Sequence, residues 1–251
     1  MLKNQPENIV LIAHRGGIIG PDSPENSQPA MEAAALAGFQ MVELDLRETL
    51  DHKAILLHAY GPNPKTSSKE FTLDKLVHMH HKDTSVPILS FRQGLELCKI
   101  LKLGIIIDIK LSKTQLPNIS FLDHINQCLE QTNFHLPLYC INKEEFIQQH
   151  LSPQIKRRLT QSELDRIKAH TVTGSLGKFW FGSPKKLNSE LWKLLKRNHI
   201  QTIVAIEQFR YPKLTTSEEV RHDILRLKNM GIRYFHIDGK YLDFFIQNKP
   251  F

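Results

Sequence analysis

The sequence has little of what would tie it to an oxidising compartment or a bilayer. Only three cysteines occur in 251 residues, Cys98, Cys128 and Cys140, widely spaced and in apolar or helical surroundings. That count excludes a disulfide framework and a cysteine-based zinc site, and predicts buried thiols in a reducing compartment. No stretch approaches the ~20 apolar residues of a membrane span, and MLKNQPEN at the start lacks an apolar signal core. The expectation is a mature cytoplasmic chain with no transmembrane segment, for which peripheral membrane contact stays open. There is no internal repeat, no low-complexity segment and no linker. A basic strip interleaved with aromatics is also missing, so no nucleic-acid partner is expected.

What is present is an ordinary globular composition, 41% hydrophobic and 24% charged. Thirty-three Lys and Arg against 26 Asp and Glu give a formal charge of +7, which favours anionic partners. The basic residues are scattered, and their densest runs, Lys156-Arg157-Arg158 and Lys185-Lys186, are short.

Residues 9–13 are a short apolar run that suits a buried strand. In PENSQPAMEAAALAG, Asn26 and Ser27 offer caps, the body is rich in alanine and Gly38 supplies a stop, which spells a helix. MVELDLRE follows as a strand, with Val42, Leu44 and Leu46 on one face and Glu43, Asp45 and Arg47 on the other. AILLH, residues 54–58, reads as a third strand. SFRQGLELCKILKLG reads as a helix capped by Ser90 and closed by Gly104, leading into the strand IIIDIK, residues 105–110. The rhythm continues with helices over 119–131, 143–150, 188–198 and 216–229 and strands over 138–141, 202–206 and 233–238. The stretch 151–185 is the least regular, and a strand must lie somewhere within RIKAHTVTGSLGKFWFG, residues 166–182, where the pattern does not locate it.

Alternating strands and helices imply a parallel sheet, and about eight strands at this length favour a single α/β domain over 1–251, a closed (βα)8 barrel of the TIM type. It is irregular between strands 2 and 3, because the eight residues between Asp45 and Ala54 are too few for a crossover helix.

In such a barrel the strand C-termini share one face. His14 and Arg15 follow strand one, Glu43 and Asp45 lie on strand two, His58 ends strand three, and Asp108 and Lys110 lie on strand four. Singly, each has an ordinary reading. A histidine after a strand is a loop residue, Glu43 and Asp45 suit the wet face of an edge strand, and Lys110 suits a plain ion pair with Asp108. Asp108 inside Ile-Ile-Ile-Asp-Ile is the exception, since burial there demands an ion partner or a metal. Together, three carboxylates make a site for Mg²⁺ or Ca²⁺, two imidazoles can act as general acid and base, and Arg15 and Lys110 can hold phosphate oxygens. The substrate inferred is a phosphate ester.

AHRGG, SPENS with its alanine-rich helix, VELDLRETLDHKAILLH and IIIDIK together resemble the glycerophosphodiester phosphodiesterase family, of the superfamily of phosphatidylinositol-specific phospholipases C. FTLDKL, VPILSFRQGLELC and MGIRYFHIDGKYLDFF extend the resemblance over most of the chain. It implies His14 and His58 as the acid–base pair, Glu43, Asp45 and Asp108 as ligands of one divalent cation, Mg²⁺ or Ca²⁺, and Arg15 and Lys110 as phosphate contacts. The implied reaction releases an alcohol and sn-glycerol 3-phosphate from a small phosphodiester through a cyclic phosphate, with His14 as base and His58 as acid.

Three positions depart from the family pattern. Ala59 stands where aspartate usually follows the second histidine, Asp108 stands where glutamate is common, and IVAIEQFRY replaces a tryptophan-containing strand, with Glu207 and Arg210 able to reach the mouth. Two other functions therefore stay open: a lysophospholipase D or sphingomyelinase D-like phosphodiesterase on lipids, and a non-catalytic barrel binding a phosphorylated ligand. His78, His80 and His81 in HMHH suit a solvated loop rather than a metal site. Phe179, Trp180 and Phe181 suit a core strand better than a lipid-facing lip. Oligomeric state is not legible.

Overall fold

Val10–Ala13 form the first strand, β1, and the chain turns sharply at His14. The computed structural model describes residues 9–59, 66–111, 116–174, 177–211 and 216–246. Among the described residues nine strands lie in one sheet, in the order β1, β9 (Tyr234–Ile237), β8 (Gln201–Ile206), β7 (Lys178–Gly182), β6 (Lys156–Arg158), β5 (Leu138–Cys140), β4 (Gly104–Ile109), β2 (Met41–Glu48) and β3 (Ala54–Leu56), and β1 also pairs with β2. Eight parallel strands thus close into a (βα)8 barrel with helices between them, and one further strand, β3, lies outside.

Contacts divide the chain into two compact units, Ala13–Arg157 and Arg158–Phe251 with Met1–Ile12. The first holds α1 (Gln28–Leu36), β2 (Met41–Glu48), β3 (Ala54–Leu56), α2 (Leu73–Val77), α3 (Phe91–Leu101), β4 (Gly104–Ile109), α4 (Ile119–Thr132), β5 (Leu138–Cys140) and α5 (Glu145–His150). Ser27 caps α1 by accepting from the Ala30 N–H, and a Ser90–Gln93 capping box starts α3. Beyond α3, Lys102 at φ 57° forms the left-handed cap, and Gly104, the expected stop, opens β4 instead.

β2 and β4 are parallel and in register, Asp45 opposite Asp108. Leu44, Leu46, Ile105, Ile106 and Ile107 are all fully buried, each contributing ~1.5–3 kcal/mol. β3 is antiparallel to β2, with Leu46 opposite Leu56 and Glu48 opposite Ala54. The short joint that breaks the expected alternation is therefore a hairpin, and His58 follows a strand that is not a barrel stave. Ile55 and Leu57 pack with Leu76 and Ile88 in a cluster of their own.

The second unit contains α6 (Gln161–Lys168), β7 (Lys178–Gly182), α7 (Ser189–Arg197), β8 (Gln201–Ile206), α8 (Ser217–Asn229), β9 (Tyr234–Ile237) and α9 (Asp243–Ile246), with β7, β8 and β9 parallel. β6 (Lys156–Arg158) spans the division and pairs with β5. β7 is the strand expected somewhere within residues 166–182, and β6, at 156–158, is a strand that the sequence pattern does not anticipate. Phe179, Trp180 and Phe181 are buried in β7, as a core strand requires. Cys98, Cys128 and Cys140 are free and buried.

Candidate active site

The end of β1 is built around an unusual backbone. Arg15 sits at φ 54°, ψ 45°, and Gly16 and Gly17 follow at φ 82° and 151°. A Cβ on Gly16 would lie 2.8 Å from the Asn26 Cα, and one on Gly17 would lie 2.0 Å from the Ala30 carbonyl oxygen. Only glycine lets this turn seat against the start of α1. The seat is tied by Asn26 N–H donating to the Arg15 carbonyl (2.8 Å) and Ile18 N–H to that of Ala30 (3.2 Å). Arg15 N–H donates to Glu43 Oε2 at 2.8 Å, and His14 Nε2 lies 4.0 Å from the same oxygen.

Glu43 and Asp45 are 1% and 0% exposed, which rules out the wet face of an edge strand, and Asp108 is half-buried. Oxygen atoms of all three lie within 4.8 Å of one another, the one grouping among the described residues that could hold a metal ion. Burial of carboxylates is tolerable only with partners. Asn26 supplies one, donating from Nδ2 to Asp45 Oδ2 (2.7 Å) while its Oδ1 accepts from the Asp45 N–H (2.9 Å). Lys110 supplies another, with Nζ 2.6 Å from Asp45 Oδ1 and 2.5 Å from Asp108 Oδ2. Burial opposes the charge on Lys110, but Asp108, Asp45 and Glu43 outweigh it and hold the ammonium above the ordinary lysine range. Three hard oxygen donors outnumbering the one ammonium among them are a donor set that fits Mg²⁺ or Ca²⁺ rather than zinc.

His58 joins this network from the hairpin. Its Nδ1 is 3.3 Å from Glu25 Oε1, and Arg15 Nη1 donates to Glu25 Oε2 at 3.0 Å. Burial would raise the Glu25 carboxyl, yet His58 and Arg15 together bring it below the usual carboxylate range. Arg47 fixes the backbone here, with Nε and Nη2 donating to the His58 carbonyl at 3.1 and 2.7 Å. The seven residues singled out in the sequence thus fall into one linked group.

Glu25 has no place among the residues that the sequence singles out, Arg47 enters only as the third polar residue on the face of Glu43 and Asp45, and Asn26 only as a helix cap. The signal in SPENS is an asparagine directly before the cap Ser27, a residue type that tolerates the left-handed backbone found there (φ 59°). The HMHH histidines form no metal grouping. His78 is exposed, its ring on the Asp74 carbonyl, whereas His81 is buried, which pushes its pKa down and corrects the expectation of a solvated loop. In the second unit, Glu207 is buried between Arg210 Nε (2.5 Å) and His236 Nδ1 (2.6 Å), so Glu207 and Arg210 are ion-paired to each other.

A model of the glycerophosphoryl diester phosphodiesterase family matches residues 14–223. The chain belongs to that family. Membership makes it a phosphodiesterase that hydrolyses a glycerophosphodiester. No curated protein sequence matches it. Its barrel is similar to solved structures, among them a glycerophosphodiester phosphodiesterase from Agrobacterium tumefaciens, 15% identical with a TM-score of 0.70, covering 95% of this phosphodiesterase and 100% of that chain. Another from Parabacteroides distasonis is 19% identical, with a TM-score of 0.69 over 97% and 100% of the two chains. A phosphodiesterase from Oleispira antarctica, solved in complex with the product sn-glycerol-3-phosphate, is 16% identical, with a TM-score of 0.69 over 91% and 92%. At these identities the likeness establishes the barrel. No helix among the described residues of this phosphodiesterase is long and apolar enough to cross a membrane.

Proposed function

We propose that the chain cleaves a small soluble glycerophosphodiester into an alcohol and sn-glycerol 3-phosphate by acid–base catalysis between His14 and His58. The observation that carries this reading is the single network linking His14, Arg15, Glu43, Asp45, His58, Asp108 and Lys110 inside the stretch that matches the family. Glu43, Asp45 and Asp108 would hold one Mg²⁺ or Ca²⁺, which when bound supplies positive charge for a developing phosphoryl oxyanion. Arg15 presents a planar fork suited to two phosphoryl oxygens, and Lys110, held protonated by its carboxylate neighbours, adds a point charge.

The proton bookkeeping follows from the two imidazoles. His14 takes the proton of the adjacent glycerol hydroxyl, whose oxygen attacks phosphorus at high effective concentration. His58 gives a proton to the alkoxide as the bond from phosphorus to the alcohol oxygen breaks. The five-membered cyclic phosphate is then opened by water with the two roles reversed. We assign the whole of 1–251 to one barrel domain with a small-molecule substrate and no nucleic-acid partner. The three free buried thiols fit a reducing compartment, the cytoplasm.

The test is to incubate the protein with glycerophosphocholine, glycerophosphoethanolamine, glycerophosphoglycerol and lysophosphatidylcholine, with Mg²⁺, Ca²⁺ or EDTA, and follow products by phosphorus NMR. Metal-dependent glycerol 3-phosphate, lost in His14→Ala, is the expected result. Lysophosphatidic acid or its cyclic form would replace the substrate class by a lipid. No turnover from a folded protein would favour a binding barrel.

A further inference from the structure

His58 has an imidazole whose backbone and ring are held by different residues. Arg47 grips its carbonyl, but a carbonyl contact leaves rotation about the side-chain bonds free. The next residue, Ala59, brings no polar side chain to the ring. The charged group that meets the ring is the Glu25 carboxylate, 3.3 Å from Nδ1.

Glu25 is itself well placed to act as a fixed post. Asn26, directly after it, is fully buried, donates its N–H to the Arg15 carbonyl and locks its side chain to Asp45 on both the donor and the acceptor side. The second oxygen of Glu25 receives the Arg15 guanidinium at 3.0 Å. One carboxylate therefore faces the ring of His58 with one oxygen and the phosphate-binding fork with the other.

We infer that Glu25 is the positioning residue of His58. An ionised carboxylate can only accept, so at 3.3 Å it favours the form with the proton on Nδ1 and leaves Nε2 as the nitrogen that exchanges a proton with substrate. Glu25 thereby selects the tautomer and the ring angle, and couples both to Arg15, so that the proton-transfer group and the phosphate contact keep one spacing. The inference rests on the proposed role of His58 in turnover. Arg15, Arg47 and His81 are the other ionisable groups that touch His58 or act on Glu25; all three are left unchanged in the variants below.

The experiment compares wild type, Glu25→Gln and Glu25→Asp in two readouts. Nitrogen-15 NMR of the histidine rings, with the His58 signals assigned by their loss in His58→Asn, reads the tautomer without any need for turnover. Steady-state kinetics on the best diester reads kcat and KM. The expected result is an Nδ1-protonated His58 in wild type, a mixed or reversed tautomer in Glu25→Gln, and a kcat lower by ~10–100-fold, as when an outer-shell orienting partner is removed. KM should change by far less, and Glu25→Asp should recover part of kcat and of the tautomer preference. An unchanged tautomer in Glu25→Gln, or a loss confined to KM, would overturn the inference. If wild type hydrolyses no diester at all, the proposed function fails by itself, and the NMR comparison still decides whether Glu25 sets the ring.

Discussion

Lys110→Met would strip the ammonium from between Asp45 and Asp108 while keeping a side chain of similar length. The consequence can be sized from the geometry. Two carboxylates within 4.8 Å of each other, as all three of the trio are, repel by at least ~3.5 kcal/mol at an effective dielectric constant of ~20. The cluster can escape by protonating one of them, but holding an ordinary aspartate neutral at pH 7 costs ~4 kcal/mol. Both routes therefore lead to ~4 kcal/mol, offset in part because burial no longer opposes a lysine charge. At ~2–4 °C per kcal/mol for a chain of this class, the variant in EDTA should unfold ~8–16 °C below wild type, toward the lower end of that range. A divalent cation binding the trio would substitute for the missing charge. Thermal unfolding at pH 7 with EDTA, Mg²⁺ or Ca²⁺ should then show the cation raising the variant's Tm by more than it raises that of wild type. A Tm in EDTA within ~2 °C of wild type, with no response to either cation, would refute the argument that these carboxylates are ionised together and need a positive charge among them.

Gly17→Ala should unfold well below wild type, because its Cβ meets the Ala30 backbone at 2.0 Å, whereas Gly38→Ala, also at positive φ but with open space around its Cβ, should lose only the ~1–2 kcal/mol of left-handed strain; equal melting points for the two would sink the steric explanation. Asn26→Ala removes the buried donor of Asp45 Oδ2 and should cost ~1–3 kcal/mol in urea unfolding, with a weaker response to divalent cations than wild type. Burial pushes Cys98 and Cys140 up to about 12 and Cys128 up to about 11, from 9.0. A raised folded pKa means that their contribution is complete below pH 9 and is lost as pH climbs toward 11–12, where unfolded thiols ionise first. The unfolding free energy from urea titrations should be level from pH 8 to about 9 and then fall by up to ~1.4 kcal/mol per pH unit for each thiol toward pH 11, and Cys98→Ala should flatten the slope; a level profile would contradict this.

Much of the barrel is legible because its signals are local. Apolar runs such as IIIDI and capped helices such as those begun by Ser27 and Ser90 need no distant partner to be read. β6 fails that test: Lys-Arg-Arg carries no apolar alternation, and it is a strand through its place in the sheet, where it pairs with β5. The orientation of β3 was equally hidden, since Ala-Ile-Leu is as good in a hairpin as in a barrel stave, although the short joint to β2 already argued against a crossover. The site follows the same division. Acids on β2 and β4 and histidines at strand ends announce themselves by residue type and place. Glu25 and Asn26 sit in a loop, and what they do depends on His58 and Asp45, brought near only by the fold.

The hairpin gives the two histidines different mechanical standing. His14 follows β1, whose hydrogen-bond ladder is part of the closed sheet and cannot open without breaching it. His58 follows a ladder three residues long, held to β2 and backed by Ile55, Leu57, Leu76 and Ile88. Opening that ladder exposes a small apolar cluster and leaves eight staves joined, so it belongs to the low-energy end of the molecule's fluctuations. Amide exchange at Leu56, whose N–H is bonded to the Leu89 carbonyl, and at Leu57, bonded to that of Asp45, would thus time the excursions of one catalytic candidate independently of global unfolding.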